Sequence, residues 1–442
     1  MRLTPSVSII VGDSDRPTDR LAWIAATLSM LGLILTLSGT SLGALLLLAA
    51  TVLLCVVRGD RCLRLIGRSP ELWAFPAFAA VSTVWSVAPV ATLRATAELS
   101  ITIGAAILCA GFLRPREFLS AMSVGLFICA VMSLVFGHYV LDGMTGETVF
   151  AGIFASKNTM AAFMSFLAIV AAAVLADREQ PTQLRLLAIG SLLLSIPLML
   201  RADSTGAVVT TIGSFAALAL TVAFARLRSS ERQIVLSCVA AVAVPIALVT
   251  VLFALNGTLS ENWSNFLTGV LGKDATLTGR TLLWQMALDE VARRPFYGTG
   301  YYAFWLQGNP LAEAIWRHFD IMTRAGFSFH DTYMEIAVEL GWIGVAVLVV
   351  MLAQALQRSI RLALADRGWA TAALFALVFC LVARSIGEVD VPYPFSAGTF
   401  LLFAAASYGA DYAALVRGRA GKISAAPGTW PPLAADQRRS GA

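Results

Sequence analysis

Residues 159–176 read TMAAFMSFLAIVAAAVLA, a stretch without a charge, closed by Lys157-Asn158 before it and Asp177-Arg178 after it. A run of this length crosses a bilayer as a helix. In lipid only helices and closed barrels leave no backbone N–H or C=O unpaired. Working outward from it, comparable apolar runs recur along the chain, at about 21–37, 41–57, 71–88, 95–112, 117–136, 186–200, 205–225, 233–255, 332–354, 369–385 and 393–415. The fold class is therefore all-α: a polytopic membrane protein with about 12 transmembrane helices. None of the runs shows the alternating pattern of an outer-membrane barrel. The composition agrees. Of 442 residues, 58% are hydrophobic and 13% charged, about half the charge of an ordinary soluble chain. That excludes a soluble enzyme and a disordered regulator, and it argues against binding nucleic acid.

The connections fix the orientation. With the N-terminus inside, the cytoplasmic segments hold 22 of the 32 basic residues. The short outer connections hold only Arg94, Lys157, Arg201 and Arg384. Positive residues are retained on the cytoplasmic side, so the sequence predicts a multi-pass membrane protein with both termini cytoplasmic. The segments expected are a tail over 1–20, helices one to nine over 21–256, a periplasmic loop over 257–331, helices ten to twelve over 332–415, and a disordered cytoplasmic tail over 416–442. No cysteine falls in an outer loop, so no disulfide framework is implied. There is no CxxC, no HExxH and only three histidines, so no metal and no cofactor is expected.

The long loop between spans nine and ten has internal order. Loops of that length without structure are uncommon unless functional. After a cap at Thr278, Leu283, Trp284, Ala287, Leu288 and Val291 make one apolar stripe on a helix over about 280–293, ended by Arg293-Arg294-Pro295. Gly298-Thr299-Gly300 is a turn, and a second amphipathic stretch is expected over about 310–324. Such helices lie on the outer membrane surface or cover a cavity. The loop closes with His330-Asp331-Thr332-Tyr333-Met334-Glu335, then Glu339-Leu340-Gly341. Glu335 and Glu339 are four apart and share a helix face. Charges at the edge of a span face a protein or aqueous interior.

Outer cations run against the insertion bias, and that makes them informative. Arg94 begins span four, Lys157 precedes span six, Arg201 ends span seven, Arg280 opens the loop helix and Arg384 ends span eleven, near Glu388. Each alone fits a side chain snorkelling to lipid headgroups. As a group at one depth they suit an anion such as a lipid diphosphate, which arginine binds bidentately.

These residues resemble a known family. Lys157-Asn158, Thr278-Gly279-Arg280 with Leu283-Trp284, the Pro295–Gly300 turn, His330 to Glu335, Glu339-Leu340-Gly341 and Trp85-Ser86-Val87-Ala88-Pro89 look like the O-antigen ligase / O-antigen polymerase family, which includes exopolysaccharide polymerases. The resemblance covers most of residues 70–390. It implies a glycosyltransferase of the bacterial inner (cytoplasmic) membrane whose donor is a glycan on undecaprenyl diphosphate in the outer leaflet, and whose acceptor is lipid A core or another lipid-linked glycan. It needs neither metal nor nucleotide. It carries over Arg280 as the diphosphate contact and His330 as the residue that activates the acceptor hydroxyl. Arg201, Lys157 and Arg384 complete the expected diphosphate set, with Asn158, Trp284, Asp331, Tyr333, Glu335 and Glu339 in support. The chain departs from the family in two places. Arg201-Ala202-Asp203-Ser204-Thr205-Gly206 stands where Ser-Arg-Gly is usual, and Asp331 stands where Asn is common. The motifs leave ligase and polymerase both open, with a lean toward exopolysaccharide. A carrier of lipid-linked sugars and a peptidoglycan glycosyltransferase of the shape, elongation, division and sporulation group are the alternative readings. The first usually shows internal repeats, and the second has loop motifs not evident here.

Overall fold

A computed structural model of the chain describes residues 18–142, 146–228, 230–233, 280–322, 324 and 327–424. Among these residues, nine helices are long and apolar enough to cross a membrane. They are α1 (Arg20–Leu37), α2 (Ser41–Arg58), α5 (Pro89–Phe112), α6 (Pro115–Phe136), α7 (Lys157–Ala176), α8 (Thr182–Arg201), α9 (Thr205–Arg226), α12 (Thr332–Asp366) and α14 (Ala397–Ser424). Between them lie α3 (Asp60–Gly67), α4 (Ala74–Val81), α10 (Arg280–Arg293), α11 (Pro310–His318) and α13 (Trp369–Arg384). The all-α polytopic class read from the sequence is the class observed.

The ends of these helices are written locally. Asp19 caps α1 by accepting from the Ala22 N–H at 3.2 Å. Pro89 and Pro115 open α5 and α6 at the first helical turn, where a missing N–H costs nothing. Ser156 caps α7 by accepting from the Asn158 N–H at 3.2 Å. The charge-free run of α7 sits at the centre, with 78% of its span window buried against 22% for α2. It packs on α6, α8, α9 and α13. By contrast α2 turns Leu42, Leu45, Val52 and Val56 outward.

Span eleven, read over 369–385, is α13, 16 residues long. Two expectations are corrected. The run 71–88 is not one helix: it is a 3-10 turn (Pro70–Trp73), the two-turn α4 containing Pro76, and a second 3-10 turn (Ser82–Val84). The second loop helix stops at His318, not near 324, because Asp320 and Arg324 take left-handed φ values of 51° and 47°. A feature not anticipated is an antiparallel hairpin, β1 (His138–Leu141) with β2 (Thr148–Gly152), pairing Leu141 with Thr148. The ninth span, apart from Gln233, lies outside the described residues. So do 257–279 with Thr278, and the tail beyond 424.

The loop helix appears over the residues the periodicity marks. It carries a second, smaller core in which Leu283, Ala287 and Val291 meet Phe304, Ile315, Trp316, Phe329 and Val338. The loop therefore packs on the first turns of α12. Those turns end at Gly341, whose φ of 67° and ψ of −172° break the helix. A strap over 295–301 locks into the break. The Trp342 N–H donates to the Pro295 carbonyl at 2.8 Å, Thr299 N–H to Val338 at 3.0 Å, and Gly300 N–H to Glu339 at 2.8 Å. On its other side the strap meets the segment after α4. The Val87 N–H donates to the Thr299 carbonyl at 2.9 Å, and Trp85 Nε1 donates to the Tyr297 carbonyl at 2.8 Å.

Candidate active site at the His330 end

Two loops meet beside the start of α12: residues 327–331 before it, and residues 385–396 between α13 and α14. Thr332 joins them. Its N–H donates to the Ser385 carbonyl at 2.9 Å, and its hydroxyl donates to the Glu388 carbonyl at 2.7 Å. Asp331 caps α12 by accepting from the Met334 N–H at 2.9 Å, so its side chain serves the helix end. His330 precedes it at a left-handed φ of 51°, a conformation that histidine adopts more readily than most residues. Trp284 reaches over from α10 and donates from Nε1 to the Phe329 carbonyl at 2.9 Å, which ties the loop helix to the histidine segment.

At the centre is Glu388. Its Oε1 accepts from Arg280 Nη2 at 2.9 Å and its Oε2 faces His330 Nδ1 at 3.5 Å. Arg280 Nη1 also donates to the Gly387 carbonyl at 2.8 Å. Burial alone pushes the Glu388 carboxyl up, but the His330 contact, then the charges of Arg280 and Arg384, carry it down to about 2. Glu388 is thus an anion at neutral pH. With Nδ1–H directed at that anion, the free lone pair of a neutral His330 lies on Nε2.

The other outer cations each find their own partner. Arg384, 3% exposed, donates from Nε to Asp390 Oδ2 at 2.5 Å and from Nη2 to the Asn158 carbonyl at 3.5 Å. Lys157 pairs with Asp142 at 2.6 Å. Arg201 lies over the rings of Phe150 at 4.7 Å and Tyr139 at 5.4 Å, and donates to the Tyr139 hydroxyl at 2.6 Å. No carboxylate pairs with it among the described residues. Ser204, three residues on from Arg201, donates to Asn158 Oδ1 at 3.1 Å. Asn158 therefore links the Arg384 end of α13 to the start of α9, with Lys157 beside it. Arg94 stands apart. Its side chain is 79% exposed and holds Glu98 at 2.8 Å.

The glutamates share a face and a partner. Glu335 Oε1 accepts from Trp305 Nε1 at 2.7 Å and from the Tyr393 hydroxyl at 3.0 Å, while its Oε2 accepts from the Phe329 N–H at 2.8 Å. Glu339 Oε1 faces the same hydroxyl at 3.3 Å. Tyr333 is half-buried beside Asp331. Sequence reasoning noted Glu388 only as a neighbour of Arg384, and it missed Asp390, Asp142, Tyr393 and Trp305. It gave the acids of the short connections no role, although an acid in a short connection facing a lone loop Arg and His is a usable signal. Among the described residues no group of three acidic, histidine or cysteine side chains is arranged to hold a metal ion.

The arrangement offers a base with one free nitrogen, a neighbouring guanidinium that can exchange one anion for another, and flanking positive charge. The comparisons with known proteins bear on what it serves. A family model described as O-antigen ligase matches residues 189–349. The chain is also 33% identical, over 75% of its own length and 75% of the other's, to the exopolysaccharide production protein ExoQ of Rhizobium meliloti.

Proposed function

The chain belongs to the O-antigen ligase family, a ligase or polymerase of polysaccharide biosynthesis, and from that premise we propose that it transfers glycan from undecaprenyl diphosphate at the periplasmic face of the inner membrane. The single observation that carries this reading is the Glu388 carboxylate, shared between Arg280 and His330. It brings the loop cation and the loop-end base to one place. We favour exopolysaccharide polymerisation because the curated relative is an exopolysaccharide production protein.

The step balances without a cofactor. The acceptor hydroxyl attacks the anomeric carbon of the donor as the bond from that carbon to the diphosphate oxygen breaks. His330 Nε2 takes the hydroxyl proton, and undecaprenyl diphosphate leaves as an anion. Arg280 turns from Glu388 to the departing diphosphate, where preorganised positive charge lowers the barrier. Glu388 stays on Nδ1, holding the ring and stabilising the imidazolium. A single displacement inverts the anomeric centre. Lys157, Arg201 and Arg384 add to the positive field, with Arg201 the cation least committed to a carboxylate.

Arg280→Ala and His330→Ala are each expected to lower polymer output by about a hundredfold or more with wild-type amounts of protein in the membrane. Purified wild-type protein given lipid-linked glycan should release free lipid diphosphate. Full polymer production by both variants overturns the proposal. So does transport of the donor without its cleavage.

A further inference from the structure

The cationic centre and its surroundings have opposite character. On the other side of His330 a ladder of aromatic rings begins. The histidine ring meets Phe327 edge-on at 5.6 Å, and Phe327 meets Trp305 at 5.4 Å. Through Glu335 the ladder reaches Tyr393, whose ring lies 5.5 Å from that of Tyr302. Tyr302 is the open end. It is 41% exposed and held at a left-handed φ of 58°, which for a bulky residue is a strained backbone. The two residues before it are pinned in place: Gly300 N–H on the Glu339 carbonyl, and the Tyr301 hydroxyl on the Pro392 carbonyl at 2.8 Å.

Carboxyl groups surround this shelf. Glu339, Glu98 and Glu335 all lie within electrostatic reach of Tyr302, and Arg94, also within reach, is already held by Glu98. Glu339, 1% exposed, keeps its Oε2 without a hydrogen-bond partner among the described residues, and it faces Tyr301, Tyr302 and Tyr393. A buried carboxylate oxygen without a donor is a costly arrangement that a hydroxyl-bearing ligand relieves. A sugar ring matches both features. It lays an apolar C–H face on an aromatic ring and directs hydroxyl donors to carboxylates, the combination of apolar walls and few polar groups found in ligand sites.

We propose that the shelf formed by Tyr302, Tyr393, Trp305 and Glu339 is the subsite for the sugar residues of the acceptor glycan, running away from His330 along the ladder of rings. This rests on the glycosyl-transfer reading. It adds a division of labour in which the cationic side takes the diphosphate, the acid–aromatic side takes uncharged sugar, and His330 stands between them.

Full-length protein in phosphatidylglycerol nanodiscs tests it by calorimetric titration with two separate probes. One is the delipidated repeat oligosaccharide from the producing strain's polymer, and the other is undecaprenyl diphosphate. Tyr302→Ala is expected to weaken oligosaccharide binding about tenfold and to leave undecaprenyl diphosphate binding within about twofold. Arg280→Ala should do the reverse. Tyr302→Phe, which keeps the ring, should retain most of the oligosaccharide affinity and controls for folding. The proposal is overturned if Tyr302→Ala leaves oligosaccharide binding unchanged, if it weakens both probes equally, or if the wild type does not bind the oligosaccharide. If undecaprenyl diphosphate fails to bind while the oligosaccharide binds through Tyr302, the transfer reading fails and the sugar shelf stands.

Discussion

At Glu388 a half-buried carboxylate meets an arginine on one oxygen and a histidine on the other. Its carboxyl titrates near 2 in place of the ordinary 4.5. Ionised Glu388 therefore stabilises the fold above about pH 4.5, and that contribution fades as pH falls toward about 2. A displacement of this size bounds the contribution near 3 kcal/mol. Glu388→Gln keeps the shape and removes the charge. We expect it to lower the unfolding temperature, with the gap from wild type widest near pH 6 and narrowing toward about pH 3. A gap independent of pH in thermal unfolding would contradict this account. Arg280 stands out in the sequence as the residue that opens an amphipathic helix, whereas a histidine at a loop–helix junction also reads as a cap, and His330 is singled out only by the family resemblance. Asp390 and Asp142 were not legible, and Glu388 was seen only as a neighbour of Arg384. They lie in short connections with no periodicity, and their role is defined by a partner as far away in sequence as Arg280.

Among the elements, the broken helix α12 decides how the site is framed. Its first turns carry Glu335 and Glu339, and its break at Gly341 receives the 295–301 strap. Gly341 adopts φ 67° and ψ −172°, a region open essentially only to glycine. A Cβ there would lie 2.2 Å from the Phe296 carbonyl carbon and 2.4 Å from its oxygen. Gly298 meets the Glu339 backbone from the facing side in the same way, at 2.4 Å. Gly341→Ala is expected to cost at least about 1–3 kcal/mol from backbone strain alone, with more from the clash. It should appear as loss of folded protein in the membrane fraction and a lowered unfolding temperature. An unchanged melt would show that the strap is not locked into the break. The loop helix over 280–293 was legible because its apolar stripe follows the helical period. The segment 71–88 misled because apolar content alone does not distinguish one helix from a two-turn helix between 3-10 turns. The strap shows why Trp85-Ser86, Pro295–Gly300 and Glu339-Leu340-Gly341 read as separate motifs in sequence: they are the three faces of one backbone junction.

Across the whole molecule the ion pairs divide between two ends. Arg58 with Asp19, Arg68 with Asp411, Arg116 with Asp177 and Arg358 with Glu71 hold one end. Lys157 with Asp142, Arg280 with Glu388 and Arg384 with Asp390 hold the other. Among the described residues, each of these pairs joins side chains at one end of the helix bundle. The division alone does not say which end is inside. We propose that the end carrying Arg58, Arg61, Arg64 and Arg68 is the cytoplasmic one, because it holds most of the positive charge and cytoplasmic loops retain such charge. The orientation makes a direct prediction at two exposed positions. Tyr297 is 54% exposed at the His330 end, and Leu63 on α3 is 70% exposed at the opposite end. Tyr297→Cys should react with a membrane-impermeant maleimide in intact spheroplasts. Leu63→Cys should react only after permeabilisation, each measured above the parent with its native cysteines. The reverse pattern would put His330 and Arg280 in the cytoplasm, away from a glycan carried on the outer leaflet. It would remove the proposed reaction while leaving the fold intact.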